Sequence, residues 1–142
     1  MRIAVIDGQG GGIGRVITER LVRALPPEVE ILALGTNATA TAGMLKAGAN
    51  EGASGESALL YNAELVDLIV GPLGAVVAHA FMGEMTPAMA AAVAGSRARK
   101  ILLPLNRSNV DLVGVAAEPL PHLVDKLVVR VQRYLEAEQA VR

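Results

Sequence analysis

A segment with five glycines joins the first apolar run of this chain to its first amphipathic stretch, and few folds accommodate that order. Residues 3–6 are apolar, the five glycines lie within residues 8–14, and the apolar positions after them recur with helical spacing until Pro26-Pro27. This order predicts a buried strand that turns through glycines into a helix. In such a unit the backbone amides of the turn and the helix N-terminus can face a phosphate.

Apolar runs and helical stretches alternate along the rest of the chain. Further strands are predicted at 29–34, 67–70, 101–103 and 112–115, with a brief strand inside the loop 48–57, and further helices at 38–47, 57–63, 87–94 and from 119–121 onward. Unbroken apolar strands are typical of parallel sheets that are covered on both faces. The pattern therefore predicts one α/β domain over residues 1–142, a Rossmann-like three-layer fold with a parallel, doubly wound sheet.

Composition narrows the class of ligand and partner. With one Phe, two Tyr, no Trp and 13 basic against 14 acidic residues, the chain has neither the stacking aromatics nor the basic surface expected for nucleic-acid binding. No cysteine and only two histidines are present, so no metal site is predicted. The absence of a signal-peptide pattern and of a membrane-length apolar run predicts a cytoplasmic protein without a membrane partner. The high aliphatic content predicts a homo-oligomer.

The glycine spacing resembles one known cofactor loop. Gly8, Gly12 and Gly14 occupy positions one, five and seven, as in short-chain dehydrogenases, which implies NAD(P) or another nucleotide as a cofactor. The resemblance covers only about the first 25 residues. The second strand ends in Gly35-Thr36-Asn37, without the acidic residue that holds the ribose of NAD, and neither tyrosine is followed four residues later by the lysine that such dehydrogenases use.

Polar or glycine-rich residues follow several of the predicted strands, at the edge of a parallel sheet where ligands bind. Asp7 has two interpretations, a contact to a sugar hydroxyl or Mg²⁺ and a cap on the glycine turn. Arg107 is a candidate for holding an anion, or a surface arginine that pairs with Asp111. The residues of the predicted ligand site are Asp7, Gly8, Gln9, Gly10, Gly11, Gly12, Ile13, Gly14, Thr36, Asn37, Gly71, Asn106 and Arg107.

Catalysis is not assigned to any residue. His79 and Glu84 are candidates for an acid/base pair, but a lone histidine in an apolar segment and an acid just before a helix are more typical of structural roles. The leading hypothesis is a module that binds a phosphate-bearing small molecule without chemistry. One alternative is a small enzyme acting on a phosphorylated metabolite, with Asp7, His79, Glu84 or Arg107 in its site. The other is an assembly protein whose glycine turn holds no ligand.

Beyond the glycine loop, nearly the whole chain resembles an uncharacterised bacterial family, domain-of-unknown-function family 3842. The matching segments are residues 3–14, 52–56, 70–74, 83–87 and 101–107. The resemblance implies a small Rossmann-like cytoplasmic protein, and it brings no known activity or substrate.

Overall fold

The computed structural model describes residues 1–105 and 108–141 and contains five strands and five α-helices in that part of the chain. The strands are β1 (Arg2–Asp7), β2 (Glu30–Gly35), β3 (Glu51–Ser54), β4 (Leu68–Pro72) and β5 (Arg99–Leu103). The helices are α1 (Gly12–Ala24), α2 (Ala38–Lys46), α3 (Glu56–Asn62), α4 (Pro87–Ala94) and α5 (Leu120–Val141).

The strands form one parallel sheet in the order β3-β2-β1-β4-β5. Alternate residues of β1 point to opposite faces, so Ile3 and Val5 pack against α1, α2 and α5, whereas Ala4 and Ile6 pack against α3 and α4. The sheet is thus covered on both sides. This arrangement confirms the predicted α/β, Rossmann-like three-layer fold.

Local signals set the ends of the elements where the sequence predicts them. Ile3 to Ile6 have no exposed surface, as expected for a central strand. The Asn37 side chain accepts a hydrogen bond from the Ala40 amide and caps α2, and Thr86 accepts one from the Met89 amide and caps α4. The brief strand predicted inside residues 48–57 is β3.

Two segments differ from the prediction. Residues 112–115 form a turn instead of a strand, because Gly114 has φ 87° and the fully exposed Val113 has no strand beside it. Gly71 and Pro72 continue β4, pairing with Leu102 and Leu103 of β5, and a 3-10 turn follows them at Leu73–Val76. Within the described residues, no helix is both long and apolar enough to cross a membrane.

Candidate functional site

The candidate site lies at the carboxyl end of β1, between β2 and β4. After β1 the chain continues to β2 on one side of it, and after β3 it crosses to β4 on the other side. In open α/β sheets, ligands bind in the crevice that this reversal creates. The glycine loop, residues 8–14, occupies this point, and α1 begins inside it with Gly11 (φ 75°) as the N-cap.

Asp7 fixes the glycine loop through hydrogen bonds to its backbone amides. Its two carboxylate oxygens accept hydrogen bonds from the amides of Gly8 (2.8 Å) and Gly14 (2.6 Å), and only 2% of the residue is exposed. Burial raises the pKa of Asp7, against the lowering effect of hydrogen bonds from the amides of Gly14, Gly8 and Ile13. This geometry favours the interpretation of Asp7 as a turn cap over a direct contact with a sugar or a cation.

Three loop glycines are required by close packing. A Cβ at Gly8 would lie 2.6 Å from the Phe81 ring and from the Thr36 hydroxyl. At Gly11 it would lie 2.7 Å from the Ala40 Cα, and at Gly14 it would lie 2.7 Å from the sulfur of Met44. These positions exclude a side chain because Phe81 and Thr36 lie against Gly8, and α2 lies against Gly11 and Gly14.

Gly10 and Gly12 are different. A Cβ at either position would meet nothing within 4 Å, and neither has a positive φ. Both are exposed at the start of α1. Neither packing inside the chain nor backbone conformation therefore accounts for glycine at these two positions.

Residues 77–85, which we call the strap, connect the 3-10 turn to α4 and contact the glycine loop. Phe81 is buried and packs on Gly8, while its neighbour Met82 is 91% exposed. Phe81, Met82 and Gly83 all adopt left-handed backbone conformations, with φ values of 58°, 56° and 92°. Such conformations are rare for residues other than glycine and persist where the surrounding structure holds them.

Glu84, near the end of the strap, lies against the glycine loop. Oε1 of Glu84 accepts hydrogen bonds from the Gln9 amide (2.8 Å), the Thr36 hydroxyl (2.6 Å) and the Asn37 side-chain amide (2.8 Å). Desolvation raises the pKa of Glu84, but the hydrogen bonds from Thr36, Gln9 and Asn37 together outweigh it and hold the pKa below its ordinary value. Glu84 is thus an ionised acid fixed between the ends of β1 and β2.

The structure brings most of the predicted site residues together. Thr36 and Asn37 meet the loop through Glu84, and Asn37 also donates to the Gln9 carbonyl at 2.9 Å. Gly71 lies beside the end of β1, where a Cβ would be 2.5 Å from the Ile6 carbonyl oxygen. Asn106 and Arg107 lie outside the described residues.

The two acid/base candidates have different positions. His79 is exposed in the strap and has φ 68°, and its backbone amide donates to the Met85 carbonyl at 2.6 Å. Glu84 contacts the glycine loop, whereas the sequence suggested a role at the start of α4. The link could not be found from spacing, because 75 residues separate Glu84 from Gln9.

A cavity of about 870 Å³ lies elsewhere, between β5 and α5. Its lining includes Arg99, Lys126, Arg130 and Arg133, and Arg99 lies over the ring of Tyr134. The Lys126 ammonium is already paired with Glu118. We place the candidate site at the glycine loop, because buried and hydrogen-bonded polar groups converge there, whereas most of the charged side chains at this cavity are long and exposed and its other lining residues are mainly apolar.

The Glu84 contact predicts a pH-dependent difference between the wild type and Glu84→Gln. Since the folded-state pKa of Glu84 is lowered, its contribution to the free energy of unfolding is complete above the ordinary glutamate pKa and is lost as the pH falls through the folded value. Urea unfolding between pH 3 and pH 7 should therefore show the wild type as the more stable protein near neutrality and the two proteins converging in acid. A stability difference that does not change with pH would contradict the ionised contact.

Comparison with known proteins places the chain in a family. No curated protein and no solved structure matches it. The family model described as "Domain of unknown function (DUF3842)" matches residues 2–136, which includes the glycine loop, the strap and all five strands. The chain therefore belongs to this family.

Proposed function

We propose that this protein binds a phosphate-bearing small molecule, a nucleotide or dinucleotide, at residues 8–14. The observation that carries the proposal is the sterically open pair Gly10 and Gly12. A side chain at either position would extend into open space beside the loop, and we assign that space to the phosphate. Because the two glycines stand at the N-terminus of α1, where a phosphate can meet the backbone amides, close approach of a ligand accounts for glycine at positions that neither packing nor backbone conformation requires to be glycine.

The surroundings of these two glycines suit an anion. The N-terminus of α1, a helix of 13 residues, carries partial positive charge. Gly14, Ile13 and Gly8 direct their amides to Asp7, and the Gln9 amide donates to Glu84. Among the described residues, no hydrogen-bond acceptor is found for the amides of Gly10 and Gly12, which leaves these two donors for a phosphate oxygen.

Binding without a reaction is the function that this arrangement supports best. Both carboxylate oxygens of Asp7 accept hydrogen bonds from amides of the glycine loop, and one oxygen of Glu84 accepts three hydrogen bonds. His79 is exposed in the strap, with no side-chain hydrogen bond to either acid within the described part of the chain. Asp7, His79 and Glu84 thus do not form the connected donor and acceptor set that acid/base catalysis requires.

Thermal unfolding with a panel of nucleotides tests the proposal. We expect AMP, ADP, ATP, NAD(H) or NADP(H) to raise the unfolding midpoint by several degrees, because a ligand at 100 times its Kd stabilises the folded state by about 2.7 kcal/mol. Gly12→Val should abolish that rise, since the valine side chain would occupy the phosphate space. Its own stability should stay within about 1 kcal/mol of the wild type.

Gly43→Val is the matched control. Gly43 lies inside α2, and like Gly12 it has no positive φ, and an added Cβ would have no atom within 4 Å beyond its chain neighbours and the backbone of its own helix. This variant should keep the full ligand-induced rise. If no compound in the panel raises the midpoint of the wild type, the proposal is wrong, and if Gly12→Val responds as the wild type does, the ligand binds elsewhere.

A further inference from the structure

We propose that Glu84 accepts a hydrogen bond from a ribose hydroxyl of the ligand, so that the protein selects ribonucleotides with a free 2′-hydroxyl. The inference rests on the proposed function, because it concerns the sugar of a ligand whose phosphate lies at the glycine loop. The acid that recognises the ribose would then come from the strap, since the end of β2 has none.

Oε1 of Glu84 is held by three donors on two different loops, the Gln9 amide after β1 and the side chains of Thr36 and Asn37 after β2. In parallel sheets of this strand order, the ribose of a nucleotide whose phosphate lies at the glycine loop reaches the end of β2. Glu84 is thus fixed where a ribose would lie.

The second carboxylate oxygen of Glu84 is open to a ligand. Glu84 is only half-buried, and its Oε2 accepts no hydrogen bond from any residue between 1 and 105 or between 108 and 141. An ionised carboxylate can only accept hydrogen bonds, so the group that complements this oxygen is a donor such as a hydroxyl. A second phosphate at the same place would be repelled by the negative charge.

The end of β2 carries no acidic residue of its own. The residues there are Gly35, Thr36 and Asn37, none of which is acidic. The side chains of Thr36 and Asn37 donate hydrogen bonds to Glu84. Both residues therefore hold in place an acid that belongs to a distant part of the chain. The acid that holds ribose hydroxyls at the end of β2 in NAD-binding domains is supplied here by the strap.

The burial of Phe81 keeps this acid in place. Phe81, three residues before Glu84, is only 3% exposed and packs on Gly8. The Glu84 amide donates to the Phe81 carbonyl at 3.2 Å. The carboxylate is therefore oriented before any ligand arrives, which lowers the entropic cost of holding a ribose.

Calorimetric titration with matched nucleotides tests the inference on the full chain. The probes are the 5′-diphosphates of adenosine and guanosine, their 2′-deoxy analogues, and the 5′-diphosphate of adenosine that carries a further phosphate on its 2′-oxygen. We expect the ribonucleotides to bind on the order of tenfold more tightly than the deoxy forms, as is typical of a hydrogen bond to a charged group. The 2′-phosphorylated compound should bind more weakly still.

Two variants separate sugar recognition from loop structure. Glu84→Gln should bring the ribo and deoxy affinities within about twofold of each other, retain binding of both, and relieve the penalty on the 2′-phosphate. Glu56→Gln is the control, because Glu56 also accepts a threonine hydroxyl hydrogen bond, from Thr86 at 2.6 Å, but caps no part of the loop. This variant should discriminate as the wild type does.

Different results overturn different statements. If no probe binds the wild type, the proposed function fails and the inference fails with it. If the probes bind and Gly12→Val abolishes binding, but the wild type does not distinguish ribose from deoxyribose, only the assignment of Glu84 is wrong. The assignment is also wrong if Glu84→Gln weakens both sugar forms equally, because Glu84 would then act only on loop structure.

Discussion

Replacing Gly71 by alanine is expected to lower the free energy of unfolding by about 3 kcal/mol or more. The added Cβ would lie 2.5 Å from the carbonyl oxygen of Ile6, at the contact between β4 and β1 in the middle of the sheet. Neither backbone can move without breaking strand pairing, and a φ of 156° at position 71 adds strain for any residue with a side chain. Urea unfolding followed by circular dichroism measures the loss.

Gly43→Ala is the control for this experiment. Its new methyl group would meet nothing within 4 Å inside α2, so helix propensity predicts a gain of roughly 0.5–1 kcal/mol. Opposite signs for two glycine-to-alanine changes would show that steric contact decides the outcome. A Gly71→Ala variant as stable as the wild type would mean that β1 and β4 are not packed as described.

Replacing Asp7 by alanine is expected to cost about 3 kcal/mol or more and to disorder the glycine loop. The carboxylate satisfies the amides of Gly8 and Gly14 in a site where water does not reach, with Asp7 only 2% exposed. Each buried amide left without an acceptor costs about 1–3 kcal/mol. Chemical unfolding measures the stability, and the rise in midpoint that the proposed function predicts should be lost as well.

Two further variants separate the buried contact from charge alone. Asp7→Asn keeps one acceptor oxygen and should lose less stability than Asp7→Ala. Asp125→Ala removes an exposed carboxylate that pairs with Arg20 on the surface, and should cost less than about 1 kcal/mol. If Asp7→Ala and Asp125→Ala are equally mild, Asp7 does not support the loop in the way its hydrogen bonds indicate.

The glycine loop itself was predictable in position but not in the roles of its members. Five glycines after a buried strand indicate a turn into a helix, and the spacing does not distinguish those required by packing from those left open. That distinction depends on residues far along the chain. Phe81 and Ala40 lie against Gly8 and Gly11, whereas nothing lies against Gly10 and Gly12.

Errors in the predicted elements also have a tertiary cause. An apolar stretch at 112–115 is compatible with a strand, but a strand needs a neighbour, and in the structure these residues form an exposed turn. Gly71-Pro72 looked like a break because both residues disfavour strands. They end β4 instead, because pairing with β5 continues to the last residue and the proline there needs no amide hydrogen.

The α/β class, the parallel sheet and the position of the glycine turn follow from the amino-acid sequence alone. Hydrophobic periodicity and capping residues act over a few neighbouring positions, so they can be recognised without knowing the fold. The position of Asp7 under the loop, and that of Glu84 between Gln9, Thr36 and Asn37, required the folded arrangement. Those contacts join residues separated by up to 75 positions, and they arise from strand order and from the path of the strap, which no local pattern encodes.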